Sequence, residues 1–286
     1  MTFISSVRGD SNKITLKKND PPSPELLITD QGCITIAFLD TETTGIDRAN
    51  DLIIEIAIKV VKVESTSGKI LSIEGSCESF NDPEEDISTE ITLLTGIDNK
   101  MVDGESVDWD MVDGLLQEAD LIVAHNAGFD RAFVDRYSSV SPNKIWACSI
   151  SDIDWLGRGF TSSKQELLCY WHGFYFDAHR AMNDVDALIH LVTHDSQDDE
   201  RALLELIENS KRPEYVIFAD NFKYDPVKKD IVKGNKYRWD PVGKVWHKKV
   251  NLDELDHEKD WLTATIYDQI FEGRVEEINP NDKYKL

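Results

Sequence analysis

The succession of apolar segments constrains the fold of this chain more than any other feature of its sequence. Runs rich in Ile and Val at residues 34–39, 52–63 and 69–80 predict three successive β-strands separated by turn residues. Further along, short apolar segments at 121–124 and 144–148 alternate with segments of helical periodicity. Strands first, and then alternating strands and helices, predict a mixed α/β sheet with helices packed against it.

A change of composition divides the chain into three expected parts. Residues 1–31 are polar, contain several prolines and are expected to form an N-terminal extension. Residues 32–211 are expected to form the α/β domain, and residues 212–286 a small α+β module. Helices are predicted in the domain at residues 87–94, 109–118, 128–137, 163–171, 181–193 and 198–209. In the module the sequence predicts a strand, a hairpin and a closing helix, at residues 215–219, 236–248 and 258–271.

Charge is distributed unevenly along the 286 residues, whose formal net charge is −23. Residues 33–194 contain 11 Lys and Arg against 29 Asp and Glu. The stretch 223–249, called the basic run below, contains nine basic residues and three acidic ones. An acidic chain argues at first against binding to nucleic acid, which usually needs a basic surface. The basic run is therefore the sequence feature that most favours contact with phosphates.

Aromatic side chains interleave with the basic run, as in proteins that bind single strands by phosphate contacts and base stacking. The alternative is that these aromatic residues form the core of a very small domain whose surface the lysines cover. Both interpretations stay open, with the lysines as the better candidates for contact with substrate. The candidate residues are Lys228, Lys229, Lys248 and Lys249.

Several other classes of protein fit the sequence poorly. No segment approaches the roughly 18 apolar residues that a membrane span needs. Arg8 and Asp10 precede any long apolar stretch, which argues against a signal peptide. The cysteines are scattered and contain no CxxC pair, so they predict neither a zinc site nor a disulfide framework. We therefore expect a reduced, cytoplasmic protein that has no contact with a membrane.

Two acidic residues form the carboxyl end of the first predicted strand. Asp40 and Glu42 are two positions apart on this strand, so both side chains project from the same face. Carboxylates side by side repel each other unless a cation lies between them. A third acid, Asp130, follows a predicted buried strand and falls in the first turn of the next helix. Acids are also favoured there for purely structural reasons, because the helix dipole stabilises them.

Asp184 is the acid that a structural role explains least well. Leu188 and Leu191 follow it at i+4 and i+7 on a predicted helix, which places Asp184 on the apolar stripe. A carboxylate in such a place must be protonated, paired or bound to a metal. His179 lies five residues earlier, so the two side chains meet only if His179 belongs to a loop before the helix.

The chemistry of these residues is consistent with metal-assisted hydrolysis. Carboxylate oxygens are the ligands that Mg²⁺ and Mn²⁺ prefer. His179 is the titratable group suited to removing a proton from water. Two divalent cations together with a base form the arrangement that hydrolyses phosphodiesters.

The same residues carry a resemblance to a known family. They occur in the segments Asp40-x-Glu42-Thr43-x-Gly45, His125-Asn126-Ala127-x-Phe129-Asp130 and His179-Arg180-Ala181-x-x-Asp184. In this order the segments resemble the three motifs of the DEDDh, or DnaQ-like, 3′–5′ exonucleases, which include the proofreading subunit of bacterial DNA polymerase III. The resemblance implies an RNase H-like fold, two divalent cations (Mg²⁺ or Mn²⁺) held by the four acids, and His179 as the general base. It covers over half of the chain, and no motif residue is missing.

The resemblance also implies contacts with substrate. Leu94-Thr95-Gly96 resembles the family's segment that packs on the terminal nucleotide, although Gly96 also suits a plain helix C-cap. Other residues expected to contact substrate are Thr41, Thr43 and Asn126. Glu55, an acid inside an apolar strand, is a candidate supporting residue behind the metal ligands.

The leading functional hypothesis is a 3′–5′ exonuclease acting on single-stranded or frayed 3′ ends of DNA. The alternative within enzymes is a 3′–5′ exoribonuclease, because nothing in the sequence separates DNA from RNA. A different class is a proofreading or adaptor subunit that binds a DNA polymerase or another replication or repair protein. A nucleic-acid-binding protein with a vestigial site is disfavoured, because the set of acids is complete.

Overall fold

The computed structural model describes residues 9–10, 12–24, 32–194, 201–267 and 269–285. The chain divides into two compact units, of which the first comprises Met1–Ser210 with Tyr284–Leu286 and the second Lys211–Lys283. None of the helices within these described ranges has both the length and the apolar character that crossing a bilayer requires.

The first unit contains a mixed sheet and several helices. Its strands are β1 Gly9–Asp10, β2 Lys13–Ile14, β3 Lys17–Lys18, β4 Cys33–Thr43, β5 Ile53–Glu64, β6 Ile70–Phe80, β7 Leu121–Ala124, β8 Trp146–Cys148 and β9 Phe174–Tyr175. Its helices are α1 Thr89–Thr95, α2 Asn99–Val102, α3 Trp109–Glu118, α4 Ala127–Val134, α5 Gln165–Trp171, α6 Ala181–Thr193 and α7 Ala202–Ser210, with a 3₁₀ turn at Ser141–Asn143.

The main sheet has the strand order β6-β5-β4-β7-β8. The first three strands are antiparallel to one another, and β7 and β8 run parallel to β4. Side chains of β4 alternate between two cores, as the two-residue period of a strand requires. Ile36 and Phe38 pack in a core with residues of α5, α6 and α7. Ala37 and Leu39 pack in a second core with residues of α3 and α4, so the predicted sheet flanked by helices is confirmed.

The second unit is a small α+β module. Its strands and helices are β10 Glu214–Ala219, α8 Pro226–Gly234, β11 Arg238–Asp240, β12 Val245–Val250, α9 Leu252–Thr265 and β13 Arg274–Ile278, with a 3₁₀ turn at Pro280–Asp282. The antiparallel sheet has the order β11-β12-β10-β13, and its core includes Ile217, Trp246 and Leu262. The predicted hairpin is present as β11 and β12.

Three elements of the module differ from the sequence-based expectation. Helix α9 begins at Leu252 rather than near 258, because Asn251 and Glu254 form a capping box ahead of the apolar residues. Helix α8 was not predicted, since Val232 is its one buried residue and the helix therefore has no apolar stripe. Strand β13 was also not predicted, because it is short, acidic and at the edge of the sheet.

Candidate active site

Asp40 and Glu42 lie on β4 near its carboxyl end, as the sequence predicted, and the strand continues to Thr43. The neighbouring strand β5 holds this polar end in the sheet, with Glu42 opposite Glu55 and Thr43 opposite Ile53. The pairing shifts between Glu42 and Thr43, as at a β-bulge. Both acids are half-buried at this end of the central strand.

The first turn of α6 brings Asp184 to the same place. Asp184 Oδ2 accepts hydrogen bonds from the backbone N–H groups of His179, at 2.8 Å, and Arg180, at 3.3 Å. Asp40, Glu42 and Asp184 each offer one oxygen, and these oxygens all lie within 4.8 Å of one another. We call these three residues the acidic cluster.

The fourth acid, Asp130, lies beside the acidic cluster in the first turn of α4 and is almost fully buried. Its Oδ1 accepts hydrogen bonds from Thr41, at 3.1 Å from the backbone nitrogen and 2.8 Å from Oγ1. Since Thr41 stands between Asp40 and Glu42 on β4, this contact ties α4 to the strand that carries the two acids. The charge of Asp130 raises the pKa of Asp40, which shows that the two carboxyl groups interact.

The pKa values of all four acids are raised, in each case mainly because burial disfavours the charged form. The pKa of Glu42 rises to about 8, and those of Asp130 and Asp184 to about 7. The pKa of Asp40 is raised well above its usual value, and its acidic neighbours add to the effect of burial. The Arg180 guanidinium lowers the pKa of Glu42, but it is the weakest of the influences on that group.

This donor set fits a divalent cation. The carboxylate oxygens converge within 4.8 Å of one another, and the neighbouring acids disfavour their charged form. A hard cation bound between them would stabilise that charged form. Without one, protonation relieves the repulsion. The predicted ligand types and the observed convergence therefore agree with Mg²⁺ or Mn²⁺.

Glu55 and Arg180 link β5 to the start of α6, the helix that carries Asp184. Glu55 is completely buried on β5, and its carboxylate accepts hydrogen bonds from Arg180, at 3.1 Å from Nε and 2.8 Å from Nη2. It also accepts one from the Ala181 backbone at 2.8 Å, which fixes the start of α6. Arg180 lies over the Phe80 ring as well. The sequence drew attention to Glu55 as an acid in an apolar strand, but nothing in the pattern identified Arg180 as its partner.

His179 lies in the loop before α6, as its proximity to Asp184 required. Its backbone N–H donates to Asp184, and its φ of 67° is in the left-handed region. The side chain is exposed. Since the residue before α6 is Arg180, whose own N–H also faces Asp184, the loop wraps around this carboxylate.

The residues expected to contact substrate are spread over three places. Thr41 supports Asp130, and Thr43 Oγ1 donates to the Gly45 carbonyl at 2.6 Å. Asn126 is the N-cap of α4, with a φ of 74°. At the end of α1 the side chain of Leu94 is exposed, whereas Thr95 is buried and donates to the Ile91 carbonyl. Gly96 is the C-cap of α1, with a φ of 74°.

Three of the four candidate lysines of the module bind a group within the module. Lys248 binds Glu258 at 2.6 Å, and Lys249 binds Glu214 at 3.1 Å. Lys228 Nζ donates to the backbone carbonyl of Ile266 at 2.7 Å, and Lys229 lies next to it on α8. Residues 211–283 contain 14 Lys and Arg and 15 Asp and Glu, so the second unit as a whole is close to neutral.

Comparison with known proteins points to nucleases. A model of the exonuclease family, RNase_T, matches residues 37–192, more than half of the chain. The DNA polymerase III PolC-type of Listeria innocua is 30% identical over 168 residues, which cover 55% of this chain and 11% of that protein. The PolC-type polymerase of Caldanaerobacter subterraneus is 39% identical over 97 residues, which cover 33% of this chain and 6% of that protein. The chain thus matches a small part of the length of these relatives.

Among solved structures, exonuclease I resembles this chain with a TM-score of 0.50 and 14% sequence identity. The likeness covers 87% of this chain and 63% of that one. It concerns the fold, and together with the sheet order it confirms the RNase H-like α/β fold expected from the sequence.

Proposed function

The chain belongs to the exonuclease family, and from this membership and the acidic cluster we propose that it is a 3′–5′ exonuclease of the DEDDh type. It hydrolyses the phosphodiester bonds of DNA, at single-stranded or frayed 3′ ends, and releases nucleoside monophosphates. The observation that carries this proposal is the convergence of Asp40, Glu42 and Asp184 within 4.8 Å, beside the fourth acid.

The four acids are proposed to hold two divalent cations, Mg²⁺ or Mn²⁺. When bound, these cations would supply Lewis-acid stabilisation of the charge that develops on the oxygens of the scissile phosphate. Asp130 is fixed for this task by Thr41, and Asp184 by the backbone of the loop before α6. Glu55 and Arg180 hold the start of α6, so Asp184 keeps its place relative to β4.

His179 is proposed as the general base. It is exposed, and its loop is bound to a proposed metal ligand. Its role is to accept a proton from the attacking water. A base in a loop, rather than on a strand, can approach a substrate phosphate from the solvent side of the acids.

DNA is proposed over RNA because the curated relatives are DNA polymerases of the PolC type. By the same reasoning, a DNA polymerase or another replication or repair protein is the proposed partner, inside the cell. Leu94, Gly96 and Asn126 are proposed to contact the terminal nucleotide. The lysines of the basic run are proposed to contact the strand further from the end.

The test is hydrolysis of labelled oligonucleotides by the purified chain with Mg²⁺, Mn²⁺ or EDTA. A 5′-labelled DNA strand should shorten stepwise from its 3′ end, with mononucleotides as products, and EDTA should stop the reaction. The matched substrates are the duplex and an RNA of the same sequence. Faster loss of RNA would favour the exoribonuclease alternative, and immediate release of a 5′ label would contradict the direction. No hydrolysis with either cation would contradict the proposal as a whole.

A further inference from the structure

Part of the N-terminal extension binds the segment that leads to His179. Strand β3 pairs in parallel with β9, through Lys17 N–H to the Gly173 carbonyl at 3.0 Å and Asn19 N–H to the Tyr175 carbonyl at 2.7 Å. Between them, Lys18 Nζ donates to Asp177 Oδ2 at 2.6 Å. We call residues 17–19 the strap. It lies outside the region that the family model matches, which begins at residue 37.

The loop between β9 and α6, which contains Asp177 and His179, also forms hydrogen bonds with α6. The Asp177 carbonyl accepts a hydrogen bond from Asn183 Nδ2 at 2.9 Å, and the His179 N–H donates to Asp184. Asp177 is therefore bound on both sides, through its side chain by the strap and through its backbone by the helix. His179, two residues further, has a left-handed φ of 67°, which a residue with a β-carbon keeps only where its surroundings enforce it.

We propose that the strap positions His179 for proton transfer, and that Lys18 acts as a positioning residue through Asp177. This inference rests on the proposed function of His179 as the general base. A base must lie within hydrogen-bond reach of the proton that it removes, and a displacement of about 1 Å can cost roughly 10²-fold in rate. The strap limits such displacement by fixing the backbone at Gly173 and Tyr175 and the side chain of Asp177.

A positioning role of the strap affects kcat rather than KM. Loss of the strap lowers kcat, because His179 occupies its productive position less often, and leaves KM nearly unchanged, because no substrate contact is removed. The lysines of the strap have a second conceivable role as phosphate contacts, since more than half of the Lys18 side chain is exposed. That role would change KM and its salt dependence instead, so the two are separated by measurement.

The experiment uses the full chain with Mn²⁺ and the p-nitrophenyl ester of thymidine 5′-monophosphate, a substrate with a single phosphate. Lys18→Gln and Asp177→Asn should each lower kcat roughly twofold to fivefold, as expected for an exposed ion pair. The double variant should be no slower than the slower single variant. Lys18→Arg, and the charge exchange Lys18→Asp with Asp177→Lys, should recover most of the rate.

The backbone contact has its own matched pair of variants. Asn19→Pro removes the N–H that binds the Tyr175 carbonyl and should lower kcat about tenfold, the upper range for one hydrogen bond. Asn19→Ala keeps this N–H and should stay within twofold of the wild type. Lys13→Gln, on the neighbouring strand β2, is the control for removing a lysine and should also stay within twofold. KM and the half-saturating Mn²⁺ concentration should remain within twofold in every variant.

Four outcomes overturn the inference. Unchanged kcat in Asn19→Pro and Lys18→Gln, with an active wild type, removes the strap from catalysis and leaves the proposed function intact. A raised, salt-dependent KM on oligonucleotides with unchanged kcat assigns the lysines to substrate binding. A lower melting temperature with unchanged kcat assigns the strap to stability alone. An inactive wild type on ester and DNA alike contradicts the proposed function, and the positioning role fails with it.

Discussion

The acidic cluster of the first unit and the basic run of the second show two different outcomes for charges of one sign. In the cluster, Asp40, Glu42 and Asp184 converge, and the acidic neighbours of Glu42 raise its pKa more than the nearby Arg180 lowers it. In the basic run, Lys248 and Lys249 are each bound to an acid of the same unit. Folding thus brings acids from distant positions together in the cluster, whereas in the basic run it pairs these two lysines with acids.

The difference shows what makes a charged segment informative about function. The acids that pair with Lys248 and Lys249 lie outside the basic run, since Glu214 is on β10 and Glu258 on α9. Glu55 likewise neutralises Arg180 from 125 positions away. Unrelieved repulsion among the acids of the cluster costs stability, and a bound cation is the natural compensation. The predictions below test this contrast.

The largest effect is expected for the acidic cluster. Asp40→Asn or Asp184→Asn should lower hydrolysis by about 10⁴-fold or more, beyond the roughly 10²–10⁴-fold that loss of a general base costs. The reason is that each variant removes a proposed metal ligand and keeps the shape of the side chain. Single-turnover cleavage of a 5′-labelled strand at saturating Mn²⁺ measures the effect. Either variant with wild-type rates would remove that residue from the site.

The next effect concerns His179. His179→Ala should lower kcat by roughly 10²–10³-fold, because the attacking water loses its proton acceptor. Mn²⁺ affinity, measured by titration calorimetry, should stay near that of the wild type, since His179 contributes its backbone rather than its side chain to Asp184. If metal affinity fell together with the rate, His179 would be a ligand, and the site would differ from the one proposed.

In the metal-free protein, the stability of variants at two acids of α6, Asp184 and Asp186, tests whether an acid in the cluster costs stability. Asp184 has a pKa raised to about 7, so in the folded state it keeps its proton between about pH 4 and 7, while in the unfolded state it ionises near 4. The folded state binds more protons in this range, so the free energy of unfolding falls as pH rises. Asp184→Asn removes this contribution and should be more stable than the wild type by about 4 kcal/mol at pH 8, since a pKa shift of about three units corresponds to about 1.4 kcal/mol per unit, and equal to it at pH 4.

Asp186 is the matched control, two positions further on α6. It binds Lys59 instead of another acid, so Asp186→Asn should be less stable than the wild type at pH 8. Urea unfolding in EDTA at the two pH values measures both variants, and Mn²⁺ should reverse the order of wild type and Asp184→Asn. Destabilisation by Asp184→Asn in EDTA at pH 8 would show that the carboxylate is compensated within the protein.

The sequence predicted the elements that carry the acids better than the contacts that hold them. The strands of the main sheet and helix α6 follow from apolar periodicity, and the motif order indicated Asp40, Glu42, Asp130 and Asp184 as candidates. The sequence also predicted that Asp40 and Glu42 end the first strand. The pairing of this end with β5, where Glu42 lies opposite Glu55, did not follow, because apolar periodicity reports burial and carries no information about which residues of two strands face each other.

Contacts between distant polar residues escaped the sequence for a different reason. The ion pair of Glu55 with Arg180 and the pairing of β3 with β9 each join residues more than 120 positions apart. Strands β3 and β9 contain two residues each, which is too short for a recognisable periodicity. Such contacts form only in the completed fold, whereas the apolar segments can be identified from the sequence alone.

In the second unit, the ion pair of Lys248 with Glu258 is expected to serve stability. Both side chains are largely buried, and Glu258 also accepts from Asn235 at 2.7 Å. Lys248→Gln should destabilise the second unit by about 1–2 kcal/mol, because it leaves a buried carboxylate with one partner fewer. Hydrogen exchange of α9 amides would report this loss. Unchanged exchange would show that the pair is not part of what stabilises the module.

The smallest effect, and the one that decides whether the basic run binds substrate, is expected at Lys229. This lysine makes no ion pair with another described residue, whereas Lys249 is bound to Glu214. If phosphates are contacted by the charges that the fold leaves uncompensated, Lys229→Gln should weaken binding of a long single strand roughly twofold to fivefold at 0.1 M salt. The slope of log affinity against log salt should fall by about 0.7, the value for one phosphate contact on a single strand.

Lys249→Gln should weaken binding of the strand less than Lys229→Gln does, since Glu214 already offsets the charge of Lys249. Neither substitution should affect hydrolysis of a dinucleotide, because so short a substrate offers few phosphates. Fluorescence anisotropy with a labelled strand, in EDTA to prevent cleavage, measures both variants across a series of salt concentrations. A larger effect at Lys249 than at Lys229 would show that pairing within the protein does not predict which lysines meet phosphate. Equal affinities and slopes for the wild type and both variants would mean that the basic run serves the fold of the second unit. The acidic cluster would then have to attract its polyanionic substrate with bound cations and the lysines of the first unit alone.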